Sequence, residues 1–168
     1  MTARDRYRRF CALVIGIVAA SVIFGVLPAS AQSGPFSGLA GSWSGGGKIN
    51  FSDGTADRLR CRATYSVGGG GTQAQLTLRC ASDSYNFNLS SSIQSQGGSV
   101  SGSWSESTRG IGGTLSGTAS ARGLQLQVIG PAFAAGLSLS VNGNRQVVSI
   151  AAPASQITSA TITLTRGS

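Results

Sequence analysis

Few side chains in this sequence can do chemistry, and the commonest catalytic group is missing. Histidine is absent from all 168 residues, so neither a Ser-His-Asp nor a Cys-His nucleophile can be assembled. Beyond residue 31 the only acids are Asp53, Asp57, Asp83 and Glu106. Glycoside hydrolysis needs two facing carboxyls; Asp83 and Glu106 are the couple to consider, although nothing in their spacing sets a separation. Asp53-Gly54-Thr55-Ala56-Asp57 offers oxygens to calcium but lacks the ligand count of an EF-hand loop, which leaves a solvated turn. Gly45-Gly46-Gly47-Lys48 is superficially like a phosphate loop, yet Ile49 follows the lysine and no helix does. Zinc prefers His or Cys, and Cys61 and Cys80 lack the C-x-x-C spacing. The expectation is a non-enzymatic protein with no catalytic residue, no metal and no cofactor.

Two sets of residues remain as candidates for binding. Arg58, Arg60, Arg62 and Arg79 form an anion-binding candidate, because the planar guanidinium fork bonds phosphate or carboxylate in pairs. The plainer alternative is a solvated outer face. Trp43, Tyr65, Phe87 and Trp104 form a second candidate, the aromatic lining of a barrel mouth that holds a small hydrophobic molecule. Ordinary core packing is the alternative for these four. Nothing in the motifs calls for nucleic acid.

Both sets depend on how strands present them. Leu59, Cys61, Ala63, Tyr65 and Val67 alternate with Arg58, Arg60, Arg62, Thr64 and Ser66. After the glycine tract 68–71, Ala74, Leu76, Leu78 and Cys80 alternate in the same way. Period two puts each set on its own face of a strand. If the two arms pair antiparallel with Cys61 opposite Cys80, then Ala63 meets Leu78, Tyr65 meets Leu76 and Val67 meets Ala74. One register satisfies both a disulfide and the burial pattern, and a slip by one residue would turn an apolar set outward. The same register sets Arg62 opposite Arg79, an unfavourable pairing of like charges unless salt or an anion relieves it.

The rest of the sequence repeats this strand type. Trp43, Gly45, Gly47, Ile49 and Phe51 share a face, and its two glycines imply bending or close approach of another backbone. Tyr85, Phe87, Leu89 and Ile93 make a further strand, then Val100, Gly102 and Trp104. Five more candidates run from Thr114 to Thr165, with Arg122-Gly123 and Asn142-Gly143 as tight turns. The link 130–136 is a longer apolar loop, a rim, a lid or a corner filled by Phe133. Gly41-Ser42-Trp43-Ser44 recurs as Gly102-Ser103-Trp104-Ser105, but the flanks do not repeat. About ten short strands with regular turn signals predict an all-β fold, an antiparallel up-and-down β-barrel of about 8–10 strands, with a β-sandwich as the alternative.

Residues 1–31 have the layout of a signal peptide. Arg4, Arg6, Arg8 and Arg9 precede an uncharged apolar run over residues 10–27, and Ala29 and Ala31 stand ahead of Gln32. An uncleaved anchor is the alternative, since the run is near the lower length for spanning; it would be the only membrane contact. Cleavage predicts a short leader, 32–40, and a single barrel domain, 41–168, in a periplasmic or secreted protein. Residues 32–168 hold nine basic and four acidic side chains, a net charge near +5 that favours anionic neighbours. Cys61 and Cys80 are the only cysteines left, and an even pair in an exported chain reads as a disulfide.

Gly41-Ser42-Trp43 resembles the G-x-W of the lipocalins and the wider calycin group of barrels. The resemblance implies a tryptophan that closes one end of the barrel against a basic residue after the last strand, where Arg166 stands. It implies no ligand. The sequence as a whole, small, rich in Gly and Ser and with one cysteine pair, also resembles exported envelope proteins of Gram-negative bacteria. The functional expectation is therefore an exported binding module for a small hydrophobic molecule. The alternative is an interaction protein that holds an anionic envelope polymer or lipid on its arginine face.

Overall fold

The computed structural model describes residues 33–120 and 123–167; the signal segment expected over 1–31 lies outside them. Ten strands form one closed antiparallel barrel in which each strand pairs with its neighbours in sequence and β1 returns to β10. They are β1 (Gly41–Phe51), β2 (Ala56–Gly68), β3 (Gln73–Ala81), β4 (Asn86–Gln96), β5 (Ser99–Glu106), β6 (Ile111–Ser120), β7 (Gly123–Ile129), β8 (Ala134–Asn142), β9 (Arg145–Ala151) and β10 (Ile157–Arg166). The up-and-down barrel is therefore the architecture, and the sandwich is not. Among the described residues the only helical turns are two short 3-10 segments, Ser37–Leu39 and Gly69–Gly71.

The central hairpin has the register that its alternation requires. Cys61 pairs with Cys80, Ala63 with Leu78, Tyr65 with Leu76 and Val67 with Ala74. The Cys61–Cys80 disulfide spans a Cα–Cα distance of 4.1 Å. Every second residue of β2 from Leu59 to Tyr65 is buried, and the residues between them, Arg60, Arg62 and Thr64, are exposed.

The seam between β1 and β10 needs its glycines. Gly45 pairs with Leu164 and Gly47 with Ile162. A Cβ at either position would meet a carbonyl oxygen of β10, that of Thr163 at 2.2 Å or that of Thr161 at 2.0 Å. Close backbone approach, the second of the two expectations for these glycines, is thus their reason.

The barrel has two unlike ends. At one, the leader lies across the opening. Gly34 and Phe36 donate their amides to the carbonyls of Gly70 and Gly71, and Phe36 and Leu39 are buried. The other end carries the loops after β1, β3, β5, β7 and β9. The loop after β7 is shorter than the sequence implied, because β8 already begins at Ala134. Phe133 packs on Trp104 there, with ring centroids 5.6 Å apart.

The disulfide closes a loop across 19 residues of sequence, which in the chain-entropy model is worth about 3 kcal/mol. Reduction, or Cys61→Ser with Cys80→Ser, should lower the denaturation midpoint by a corresponding amount with the barrel circular dichroism retained. An unchanged midpoint would contradict the bridge.

Candidate functional site

At the leader end, aromatic and basic groups form a plug. Trp43 is 1% exposed, and its indole N–H donates to the Leu39 carbonyl at 2.7 Å. The Arg166 guanidinium lies 4.3 Å from the Trp43 ring centroid, a cation–π distance. Its two terminal nitrogens donate to the carbonyls of Ala40 and Gly38. One arginine thereby fastens the end of the last strand to the leader and caps the tryptophan. This is the arrangement that the G-x-W resemblance implied.

Just inside the plug, Tyr65 and Gln146 meet across the interior. The Gln146 amide donates to the Tyr65 hydroxyl at 2.7 Å, and Gln146 is completely buried. Burial pushes the Tyr65 phenol up to about 12, with the Gln146 hydrogen bond as a smaller opposing influence. The sequence signal for Gln146 was its parity: it lies on the inward face with Val148 and Ile150, the one polar member of that face on β9.

Beyond this pair the wall is only half covered. Leu76 and Leu78 on β3, Leu89 and Ile93 on β4, and Leu137 and Ile150 on β8 and β9 all have inward parity by register. Each of the six nevertheless keeps accessible surface, while the outward parity on the same strands carries Ser, Thr, Gln and Arg. Partial exposure of inward-facing apolar side chains in mid-strand is the pattern expected of a barrel with space inside, although Ile93, Leu137 and Ile150 also border grooves shared with outward-facing Ser and Gln. Two features favour such space: ten strands close a wider barrel than eight, and the inward face is thinned by Gly45, Gly47, Ala63, Ala74 and Gly102.

The opposite end is ringed by aromatics held in place by an ion pair. Phe51, Tyr85 and Phe87 pack in a row, the first pair edge to face and the second tilted, with centroids 6.0 and 4.6 Å apart. Arg109 lies 4.0 Å above the Tyr85 ring and 3.2 Å from the Glu106 carboxylate. Glu106 is 3% exposed and accepts the backbone amides of Asn88, Thr108 and Arg109. Burial alone would raise its carboxyl, but the hydrogen bonds from Asn88, Thr108 and Arg109 outweigh it and hold the group down at about 2. A carboxyl so held has no proton to give near neutrality, so Glu106 is not the general acid of an Asp83–Glu106 couple. Asp53 is likewise occupied in its turn, accepting from the amide and hydroxyl of Thr55.

The four aromatic candidates therefore do not share one mouth. Trp43 and Tyr65 sit toward the plugged end. Phe87 belongs to the open rim, and Trp104, whose indole donates to the Ile129 carbonyl at 3.2 Å, lies one step inside it. The four arginine candidates do share a surface. Arg58, Arg60, Arg62 and Arg79 are all exposed on the outer wall, with Arg62 opposite Arg79. Lys48, opposite Arg58 on β1, extends the strip. A groove of about 570 Å³ crosses the outer wall beside it, lined on β2 to β5 by hydroxyl and amide groups such as Ser66, Gln75, Ser92 and Ser103.

No family model and no curated protein matches the sequence. Solved structures do. The protein is similar to Rv2717c from M. tuberculosis, with a TM-score of 0.65 and 18% identity over 79% of this chain and 94% of that one. It is also similar to the S-type phycobiliprotein lyase CPES from Guillardia theta, with a TM-score of 0.56 and 9% identity over 79% and 90%. At these identities the likeness is one of fold alone.

Glu106 makes a pH prediction. Its folded carboxyl lies below the ordinary 4.5, so its contribution is complete above that pH and is lost as pH falls toward about 2. A drop of that size corresponds to up to about 3 kcal/mol. Acid titration of stability should show this loss between those limits, and Glu106→Gln should flatten it. An unaltered acid limb in the variant would contradict the assignment.

Proposed function

We propose that this protein is an exported, non-enzymatic barrel module that takes a small hydrophobic molecule into its lumen through the aromatic rim. The observation that carries the reading is the accessible surface on inward-facing leucines and isoleucines in a barrel sealed at one end. A pocket with apolar walls and few polar groups suits such a ligand. The likeness in fold to a phycobiliprotein lyase is compatible with handling a small molecule. The disulfide and the signal-like residues 1–31 support a periplasmic or secreted location, because such bridges persist in oxidising compartments.

A second reading rests on a separate observation. Lys48, Arg58, Arg60, Arg62 and Arg79 stand exposed on three adjacent strands, and none makes a salt bridge among the described residues. Residues two apart on a strand lie about 6.8 Å from one another, so the strip can follow the charges of an anionic envelope polymer or lipid surface.

The two readings differ in their response to salt. The neutral dye N-phenyl-1-naphthylamine should bind saturably, at one per chain, with an affinity indifferent to ionic strength. Leu89→Trp, which fills the lumen, should abolish that binding. Absence of saturable binding would remove the lumen reading. Retention on immobilised polyphosphate should instead fall steeply with salt and fall again in Arg62→Ala with Arg79→Ala; equal retention of the variant would remove the second reading.

A further inference from the structure

We infer that Tyr65 and Gln146 form the polar end of the lumen and select a neutral ligand whose head group both donates and accepts a hydrogen bond, a hydroxyl or primary amide on an apolar tail. This rests on the lumen reading above and goes further, in naming the ligand class.

Two unmet hydrogen-bonding needs lie side by side. The Gln146 Nε2 donates to the Tyr65 hydroxyl, but the Gln146 Oε1 is buried and has no partner. The Tyr65 hydroxyl accepts that bond, and its own proton has no acceptor among the described residues. The pair thus presents one acceptor lacking a donor and one donor lacking an acceptor. Buried polar groups in native structures are nearly always satisfied, and each exception asks for a cause. Rotation of the Gln146 amide about its last torsion would let the phenol donate to Oε1 and would leave Nε2 without an acceptor instead, so one buried polar group lacks a partner in either orientation.

The surroundings decide where the missing partner comes from. On one side the plug of Trp43, Leu39 and Phe36 is sealed. On the other, Leu76 pairs with Tyr65 and Val148 lies two residues beyond Gln146; both face the interior and keep accessible surface. A ligand entering from the rim approaches the pair from this side and meets the Tyr65 hydroxyl first; because Gln146 has no accessible surface, the head group must part these side chains to reach its Oε1.

Charge completes the selection. Tyr65 stays protonated, and Gln146 carries no charge. Arg166 is the nearby cation, and it is already committed to the carbonyls of Ala40 and Gly38. A carboxylate at this depth would be dehydrated with no counter-charge, which is strongly unfavourable. A hydroxyl or amide meets both needs and carries no such penalty.

The test is displacement of N-phenyl-1-naphthylamine by octane, 1-octanol and octanoate. A hydroxyl buried without a partner binds worse than the bare alkane, because it must be dehydrated. The inference expects 1-octanol to match or exceed octane and octanoate to be the weakest. In Gln146→Leu and in Tyr65→Phe, the ratio of octanol to octane affinity should fall about tenfold, the usual effect of a lost buried hydrogen bond. Tyr65→Phe changes one atom and carries the test should Gln146→Leu fold poorly. An octanol-to-octane ratio that is the same in wild type and Tyr65→Phe, or octanoate binding as tightly as octanol, would overturn the inference and leave the lumen reading in place. Failure of all three to displace the dye would instead remove the lumen reading beneath it.

Discussion

The structure depends on the seam where the first strand meets the last. Ten antiparallel strands have no exposed edge only if β1 lies tightly along β10, and that approach leaves no room for side chains at Gly45 and Gly47. Closure satisfies the backbone groups that an open sheet would expose. It also sets the circumference, and with it the volume inside. The glycines that permit closure add to that volume, since they leave the inward face of β1 thinly covered. The space proposed for a ligand would thus follow from how the wall is joined.

The leader and Arg166 give the hollow its direction. Without a plug, a ten-strand wall would be open at both ends. Phe36, Leu39 and Trp43 fill one of them, and the guanidinium ties leader, first strand and last strand together at a single point. Charge follows the same axis. Asp53, Asp57, Asp83 and Glu106 all lie in or beside loops of one end, whereas Lys48, Arg58, Arg60, Arg62 and Arg79 run along the outer wall of β1 to β3, apart from Arg109 in the loop after β5 and Arg145 on β9. Interior chemistry and wall chemistry are therefore separate, and each can be altered without the other.

How much of this was legible in the sequence depended on the range of each signal. Alternation is local, so the faces of β2 and β3 could be read directly, and the two cysteines supplied the long-range constraint that chose their register. The Gly41-Ser42-Trp43 motif and Arg166 located the plug, because that contact joins the two ends of the domain. The placing of the aromatics was not legible in the same way. Whether Trp43 and Phe87 share an end depends on the direction of each intervening strand, and period two carries no direction. Gln146 escaped for another reason. A glutamine among valines and isoleucines reads as a strand terminus until Tyr65 is seen opposite it, 81 residues away. Glu106 was legible only as half of a candidate couple with Asp83, because the amides of Asn88, Thr108 and Arg109 that hold it are backbone groups with no sequence signature.

The central claim is that a wall of inward-facing leucines and isoleucines surrounds free space. A crystal structure of the protein under xenon pressure tests it most directly, since xenon settles in apolar cavities. The account predicts xenon density among Leu76, Leu78 and Leu89, on the open side of the Tyr65–Gln146 pair. Side chains from opposite walls packed against one another along the axis, with no xenon between them, would contradict it.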